Sequence, residues 1–365
     1  MSSSANANAA PAQAPRAGRP AAWGALGVLG LAGWLASRAL GPASPAWQAL
    51  LVNFIFFTPL AAALVVWPAA VMLSRGRWLA PAQRDDALAG VAFAPASLIA
   101  FAALWFGRAH WAPWLHDAAL PHRAWLSAPF LFARDGAALV LWWLAAAVFA
   151  RKARQGTPKV LAGWVAVVYA VVFTLVAFDL VMGLAPRWCS TLFGAYFFIS
   201  GMYAAIALLA FLAARQPGVE RDRLHDLGKL VLTFSIMATY LLYSQLLPIW
   251  YENLPHEIPF VVARTTTRPW LCVSVALLAV VYVGPLVLLL TARAKRSPRW
   301  LGAVSLLVLA GLWVERWWLV APTLGQPPAL SWADTAACAA FAGALGWGMS
   351  RLRRSRAPSE AGGRS

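Results

Sequence analysis

The sequence predicts an all-α integral membrane protein with about ten transmembrane helices, and three observations predict it. Of the 365 residues, 61% are hydrophobic and only 12% are charged, more apolar surface than a soluble domain can bury. The chain also repeats apolar runs of roughly 20 residues, the length at which an α-helix crosses hydrocarbon, without the alternation of a barrel. Lipid offers no partner to a free backbone amide, so such runs satisfy themselves as helices. Finally, Lys and Arg gather on every second connection between the runs.

In chain order, residues 1–20 are rich in Ala, Pro and Ser and read as a disordered tail without a signal-peptide pattern. Span 1 covers 21–40 and span 2 covers 47–73, which a basic connection separates from span 3 at 87–106. The long external loop 107–130 carries Trp111, Trp114 and Trp125. Span 4 (132–150) ends on a basic run, and span 5 (160–184) contains Asp179. Spans 6 (191–214), 7 (227–251), 8 (270–292) and 9 (300–320) follow. Span 10 (332–350) is rich in Ala and Gly and is expected to pack through small residues. The chain closes with the basic tail 351–365, leaving 21–350 as one transmembrane domain.

With both tails and the connections after spans 2, 4, 6 and 8 on one side, that side holds 22 of the 30 Lys and Arg residues. The bias puts both termini in the cytoplasm of a multi-pass protein. It also accounts for the net charge of +17 without a nucleic-acid partner. Trp23, Trp47, Trp188, Trp250, Trp270, Trp300 and Trp332 lie at span ends, where an interfacial aromatic belt is expected.

Ionisable groups inside hydrocarbon are costly, so each is a functional candidate. Asp179 lies five residues before the end of span 5, and Glu315 and Arg316 lie at a similar depth in span 9. These two neighbours point about 100° apart, so each is expected to find its own partner. The arginines offered to the buried acids are Arg187, Arg264, Arg268 and Arg316, and Asp135 reads as a membrane-edge pair with Arg134. In LYSQLLPIWYENLPHE (242–257), Gln245 lies inside the span and Pro248 frees the Ser244 carbonyl. Glu252 stands at the helix C-terminus, where the macrodipole disfavours an anion, so a partner is expected for it. Asp226 reads as a first-turn residue with His225 and Lys229 spaced i,i+4, and Ser331 with Asp334 reads as a capping box.

Cys189, Cys272 and Cys338 lack CxxC and CxxCH spacing, and His110, His116 and His122 share no helix face. The chain is therefore expected to bind no redox cofactor of its own.

Four stretches carry a resemblance: FDLVMGLAPRWCSTLFGAYFFISG (178–201), HDLGKLVLTF (225–234), YSQLLPIWYENLP (243–255) and ERWWLVAP (315–322). They resemble the second quinone-binding-type membrane subunit of alternative complex III, in the polysulfide-reductase-type membrane anchor superfamily. That bacterial complex is a quinol:cytochrome c or quinol:oxidase oxidoreductase. The resemblance covers about residues 160–322 and falls on Asp179, Trp188, Ser190, Thr191, the run His225 to Lys229, Ser244, Gln245, Trp250, Tyr251, Asn253, Pro255, Glu257 and Glu315. This chain departs from the family's pattern at Ala185, Arg187, Cys189, Glu252, His256 and Glu315.

The resemblance implies two four-helix bundles, spans 2–5 and 6–9, with two peripheral helices. Its implied partners are a sister quinone-binding membrane subunit, an iron–sulfur protein and c-type cytochrome subunits, which hold the haem c and the iron–sulfur clusters. It also implies a bacterial inner membrane and a proton path or second quinone site in this subunit. On that reading Asp179, Glu252, Glu257 and Glu315 are candidate proton acceptors, and Gln245 and Tyr251 hydrogen-bond a quinone or a polar network. His225, Asp226 and Lys229 form an inner proton entry. Two other classes use the same residues: a proton-coupled secondary transporter, and a structural anchor whose acids are satisfied by arginines.

Overall fold

The computed structural model of the chain describes residues 20–76, 79–117, 123–253, 255 and 257–354. The expectations for residues 1–19, His122, His256 and residues 355–365 lie outside these. Among the described residues the chain is helical without strands, and nine helices are long and apolar enough to cross a membrane.

We number the long helices α1 (Pro20–Leu40), α2 (Ala43–Leu73), α3 (Gln83–Phe106), α4 (Ala128–Gln155) and α5 (Lys159–Leu180). Then come α6 (Phe193–Ala214), α7 (Arg221–Glu252), α8 (Arg268–Leu288), α9 (Pro298–Val320) and α10 (Trp332–Arg354). Each matches one expected span, with ends displaced by a few residues. The tenth, α10, has the length to cross at 23 residues, but its Ala-rich sequence leaves it outside the nine apolar helices. It also continues through Arg354, so the basic tail starts later than expected.

Helix α2 is apolar on every side, as a helix surrounded by lipid or by protein must be. Here it is protein: α3, α5, α6, α9 and α10 all pack on it, and it is buried over almost its whole length. Helix α4 packs on α5 and α3, while α6, α7, α8 and α9 pack among themselves. Helices α1 and α10 pair along their length. Small residues permit that contact: a Cβ added at Gly30 would lie 2.2 Å from the Ala340 nitrogen, and one at Gly343 would lie 2.2 Å from the Gly27 nitrogen. Gly24 faces Trp347, so the pair is antiparallel and both ends of the described chain lie at one end of the molecule. We call that end proximal and the other distal.

The aromatic belt expected from the sequence needs correction. Trp47, Trp188 and Trp270 are buried against protein, whereas Trp23, Trp250, Trp300 and Trp332 are exposed. In the loop between α3 and α4 Trp111 is fully buried and donates to the Leu104 carbonyl at 3.0 Å. Gly107 is required beside it, because a Cβ there would lie 2.2 Å from the Trp47 ring.

Candidate functional site

Two buried polar networks stand out inside the apolar helices. The first centres on Glu315 of α9, which is 1% exposed. Its Oε1 accepts from the Tyr196 hydroxyl of α6 and lies 3.4 Å from an Arg316 guanidinium nitrogen. Arg316 donates its other terminal nitrogen to Ser200 Oγ at 2.8 Å and stands over the Phe197 ring. Adjacent residues thus find separate main partners, as their 100° offset requires, yet they also touch. The second carboxylate oxygen, Oε2, is buried without a hydrogen-bond partner.

The network extends into α8, whose backbone widens to a π-helix over Leu278–Val283. A π segment leaves carbonyls outside the regular ladder, open to other donors, and often marks function. Tyr203 on α6 donates to the Val281 carbonyl at 2.9 Å, and Ser235 on α7 donates to the Tyr282 carbonyl at 2.7 Å. The Tyr282 hydroxyl then meets the Tyr196 hydroxyl at 2.8 Å. Gly311 makes room for this segment, since a Cβ there would lie 2.5 Å from Val281 Cγ2.

The second network joins α4, α5 and the loop between α3 and α4. Arg134 bonds Asp179 Oδ2 at 2.6 Å, and the Trp125 indole donates to Asp179 Oδ1 at 2.8 Å. Asp135, fully buried, lies 3.5 Å from Arg134 Nε, so two carboxylates share one cation. Arg134 also stacks over Trp125, 3.8 Å from the ring centroid. One expectation changes here: Asp179 pairs with Arg134 rather than with Arg187, Arg264, Arg268 or Arg316, while Asp135 lies beside Arg134 as expected and is buried in protein.

The other sequence candidates fall elsewhere. Gln245 is buried and sits 3.5 Å from Ser190 Oγ. Tyr251 and Glu252 are exposed at the end of α7, which Asn253 closes with φ 50°. The partner expected for Glu252 is not found among the described residues. Glu257 is half-buried just before the short helix Ile258–Thr265. At the proximal end Lys229 pairs with Asp226 at 3.0 Å, and Asp226 lies in the second turn rather than the first, because α7 begins at Arg221. His225 therefore does not take Lys229 as its i,i+4 partner. Nearby, Lys295 donates to the Leu289 and Leu290 carbonyls at 2.7 and 2.9 Å. Burial and the Lys229 ammonium push its pKa below the ordinary lysine value.

At the start of α10, Ser331 and Asp334 exchange backbone and side-chain bonds as the capping box requires. His110 meets Ser44 at 3.2 Å. Among the described residues no three of His, Cys, Asp or Glu gather closely enough to hold a metal ion.

Tyr196, Tyr203, Tyr282, Ser200 and Ser235 were not singled out by sequence. A signal existed for the tyrosines. The chain has only seven; Tyr240, Tyr243 and Tyr251 are exposed along α7, and the other four are interior. A scarce hydroxyl in an apolar helix marks a polar interior, but nothing local tells the two groups apart.

No protein-family model matches the chain, and no curated protein matches it.

Proposed function

We propose that the chain is a membrane subunit of a respiratory quinol:electron-acceptor oxidoreductase of the alternative complex III type, in a bacterial inner membrane. The observation that carries this reading is Glu315: a carboxylate inside the membrane domain, held by Tyr196 and Arg316 on one oxygen and unpartnered on the other. It stands where the family resemblance has an acid, and an intramembrane acid so placed can take up and release a proton. The reading divides the helices into two groups of four, α2–α5 and α6–α9, with α1 and α10 outside both; α2 packs across that division on α6 and α9, and α5 packs across it on α6. The basic connections lie at the proximal end, which on the charge rule faces the cytoplasm together with both termini.

Quinol oxidation releases two electrons and two protons. On this reading the electrons leave through haem c and iron–sulfur clusters in partner subunits, beside the sister quinone-binding subunit. This chain contributes a docking body and carboxylates, and binds no redox cofactor itself. Asp135 and Asp179 around one guanidinium are charge-balanced when they hold one proton between them. They would pass it to the distal side, where Glu252 and Glu257 meet water. Gln245 with Ser190 supplies hydrogen-bonding groups nearby for a quinone or a polar chain. Asp226, Lys229 and His225 supply the proximal entry if the path crosses the whole membrane.

The ion pairs favour a second reading, a structural anchor whose acids are merely neutralised. Purification of the tagged full-length chain from its own membranes separates these. Co-purifying c-type haem and quinol oxidation are expected, and a chain that purifies without any haem protein sinks the proposal. Glu315→Gln and Asp179→Asn in that complex should each slow turnover and proton release about tenfold or more. Unchanged rates would leave the anchor reading. Proton-coupled uptake by the chain alone in liposomes would point to a transporter instead.

A further inference from the structure

Away from both networks, at the distal end, a cavity of about 320 Å³ opens between the turn after α5 and the helix Ile258–Thr265. Its size is at the lower end of small-molecule sites, which run from roughly 300 to 1,000 Å³. We propose that this cavity binds a phosphate-bearing anion through Arg187, Trp188 and Arg264, either the headgroup of an anionic phospholipid or free phosphate. The inference does not rest on the respiratory reading.

The argument starts with Arg264, which lines the cavity and is 1% exposed. Its guanidinium donates to the Phe260, Leu319 and Trp318 carbonyls at 2.6, 2.8 and 3.2 Å and to Thr323 Oγ at 2.8 Å. All four acceptors are neutral, and among the described residues no carboxylate pairs with it. These bonds orient the group without cancelling its charge. Burial lowers its pKa to about 9, which still leaves it cationic at neutral pH.

Two further residues that carry donors, Arg187 and Trp188, line the same space. Arg187 lines the cavity with its side chain largely exposed, 3.9 Å from Asp117. That separation is too long for a charge-assisted hydrogen bond, so the fork remains open to a ligand. Trp188 is 3% exposed and stacked on Phe260 at 3.7 Å, and its indole N–H has no hydrogen-bond partner among the described residues. A buried N–H without an acceptor is costly in an empty cavity and satisfied by a ligand oxygen. Among the described lining residues the two cations, Arg187 and Arg264, face one acid, Asp117, so a neutral ligand would leave net positive charge standing while an anion would balance it. Among anions, phosphate offers oxygens to guanidinium groups arriving from different directions.

The test uses the full-length protein in nanodiscs of phosphatidylcholine, with and without one-fifth phosphatidylglycerol. Lipid retained after gentle extraction is counted by mass spectrometry. In parallel, binding of radiolabelled inorganic phosphate is measured in phosphatidylcholine discs. The expected result is about tenfold enrichment of phosphatidylglycerol over phosphatidylcholine, or saturable phosphate binding. Either should be lost in Arg187→Gln and reduced in Trp188→Phe, which keeps the stack and removes the N–H. Both substitutions avoid Arg264, whose replacement would disturb folding, and thermal unfolding checks that they leave the fold intact. Lipid enrichment without phosphate binding assigns the headgroup, and phosphate binding without enrichment assigns the free ion. Equal retention by the unmodified protein and Arg187→Gln in both arms, or no retention in either, overturns the proposal.

Discussion

The Tyr196 hydroxyl and the Glu315 carboxylate meet across α6 and α9, 119 positions apart in sequence, and Arg316 shares the same carboxylate oxygen. Removing the acid leaves Arg316 as a buried cation held by Ser200 and the Phe197 ring, with no counter-charge among the described residues. Glu315→Ala should therefore cost about 3–5 kcal/mol, the usual range for breaking a buried pair. Glu315→Gln keeps shape and an acceptor and should cost clearly less. Thermal unfolding in detergent compares the two, and equal losses would mean that the lost charge accounts for the whole effect and the shape and acceptor kept by Gln contribute nothing.

Arg134 holds Asp179 closely and Asp135 loosely, at 2.6 and 3.5 Å. Asp135→Asn leaves one acid facing one cation and should be neutral or stabilising. Arg134→Leu strands two carboxylates and should destabilise by about 3–5 kcal/mol. The opposite outcome, a large loss for Asp135→Asn, would mean that Asp135 and not Asp179 is the main partner of Arg134.

Gly30 and Gly343 set the distance between α1 and α10. A methyl group at either would meet backbone at 2.2 Å, so Gly30→Ala and Gly343→Ala should each cost about 1–3 kcal/mol. Gly163, with nothing within 4 Å of an added Cβ, is the control, and Gly163→Ala should leave the melting temperature unchanged or slightly higher.

Lys295 closes the C-terminal end of α8 through two carbonyls. Lys295→Met keeps the stem packed on Gly228 and removes the donor, at an expected cost of about 1–3 kcal/mol. Hydrogen exchange should show the loss as local opening at the end of α8 and not as a global change.

The antiparallel α1–α10 pair brings both chain ends to one side. Reporter domains that are active only in the cytoplasm, fused to either terminus, should both be active, and a fusion within the loop between α3 and α4 should be silent. One active and one silent terminus would mean an odd number of crossings.

Much of the fold was legible because its causes are local. A run of about 20 apolar residues must be a helix wherever it meets lipid, so the ten helices were found near their ends and no strand was expected. Ser331 and Asp334 are three residues apart, and their capping box followed from that spacing alone. The small residues of α10 announced a close helix contact, though not its partner. Of the candidate site, Asp179, Glu315 and Gln245 were read correctly as buried polar positions. Glu252 is exposed, and the partner its wrong-end placement suggested is not found among the described residues.

The sequence by itself determined the helical class, the limits of the helices and the scarcity of charge within them, since each follows from the contrast between water and hydrocarbon. Which side of each helix meets protein was decided only by the tertiary structure. Lipid tails are as apolar as Leu, so hydropathy does not distinguish the fully buried α2 from a lipid-facing helix. The pairing of Asp179 with Arg134, 45 positions away, and of Glu315 with Tyr196 was decided there as well. A buried charge takes whichever counter-group the packing of helices brings within reach, and sequence distance does not enter that choice.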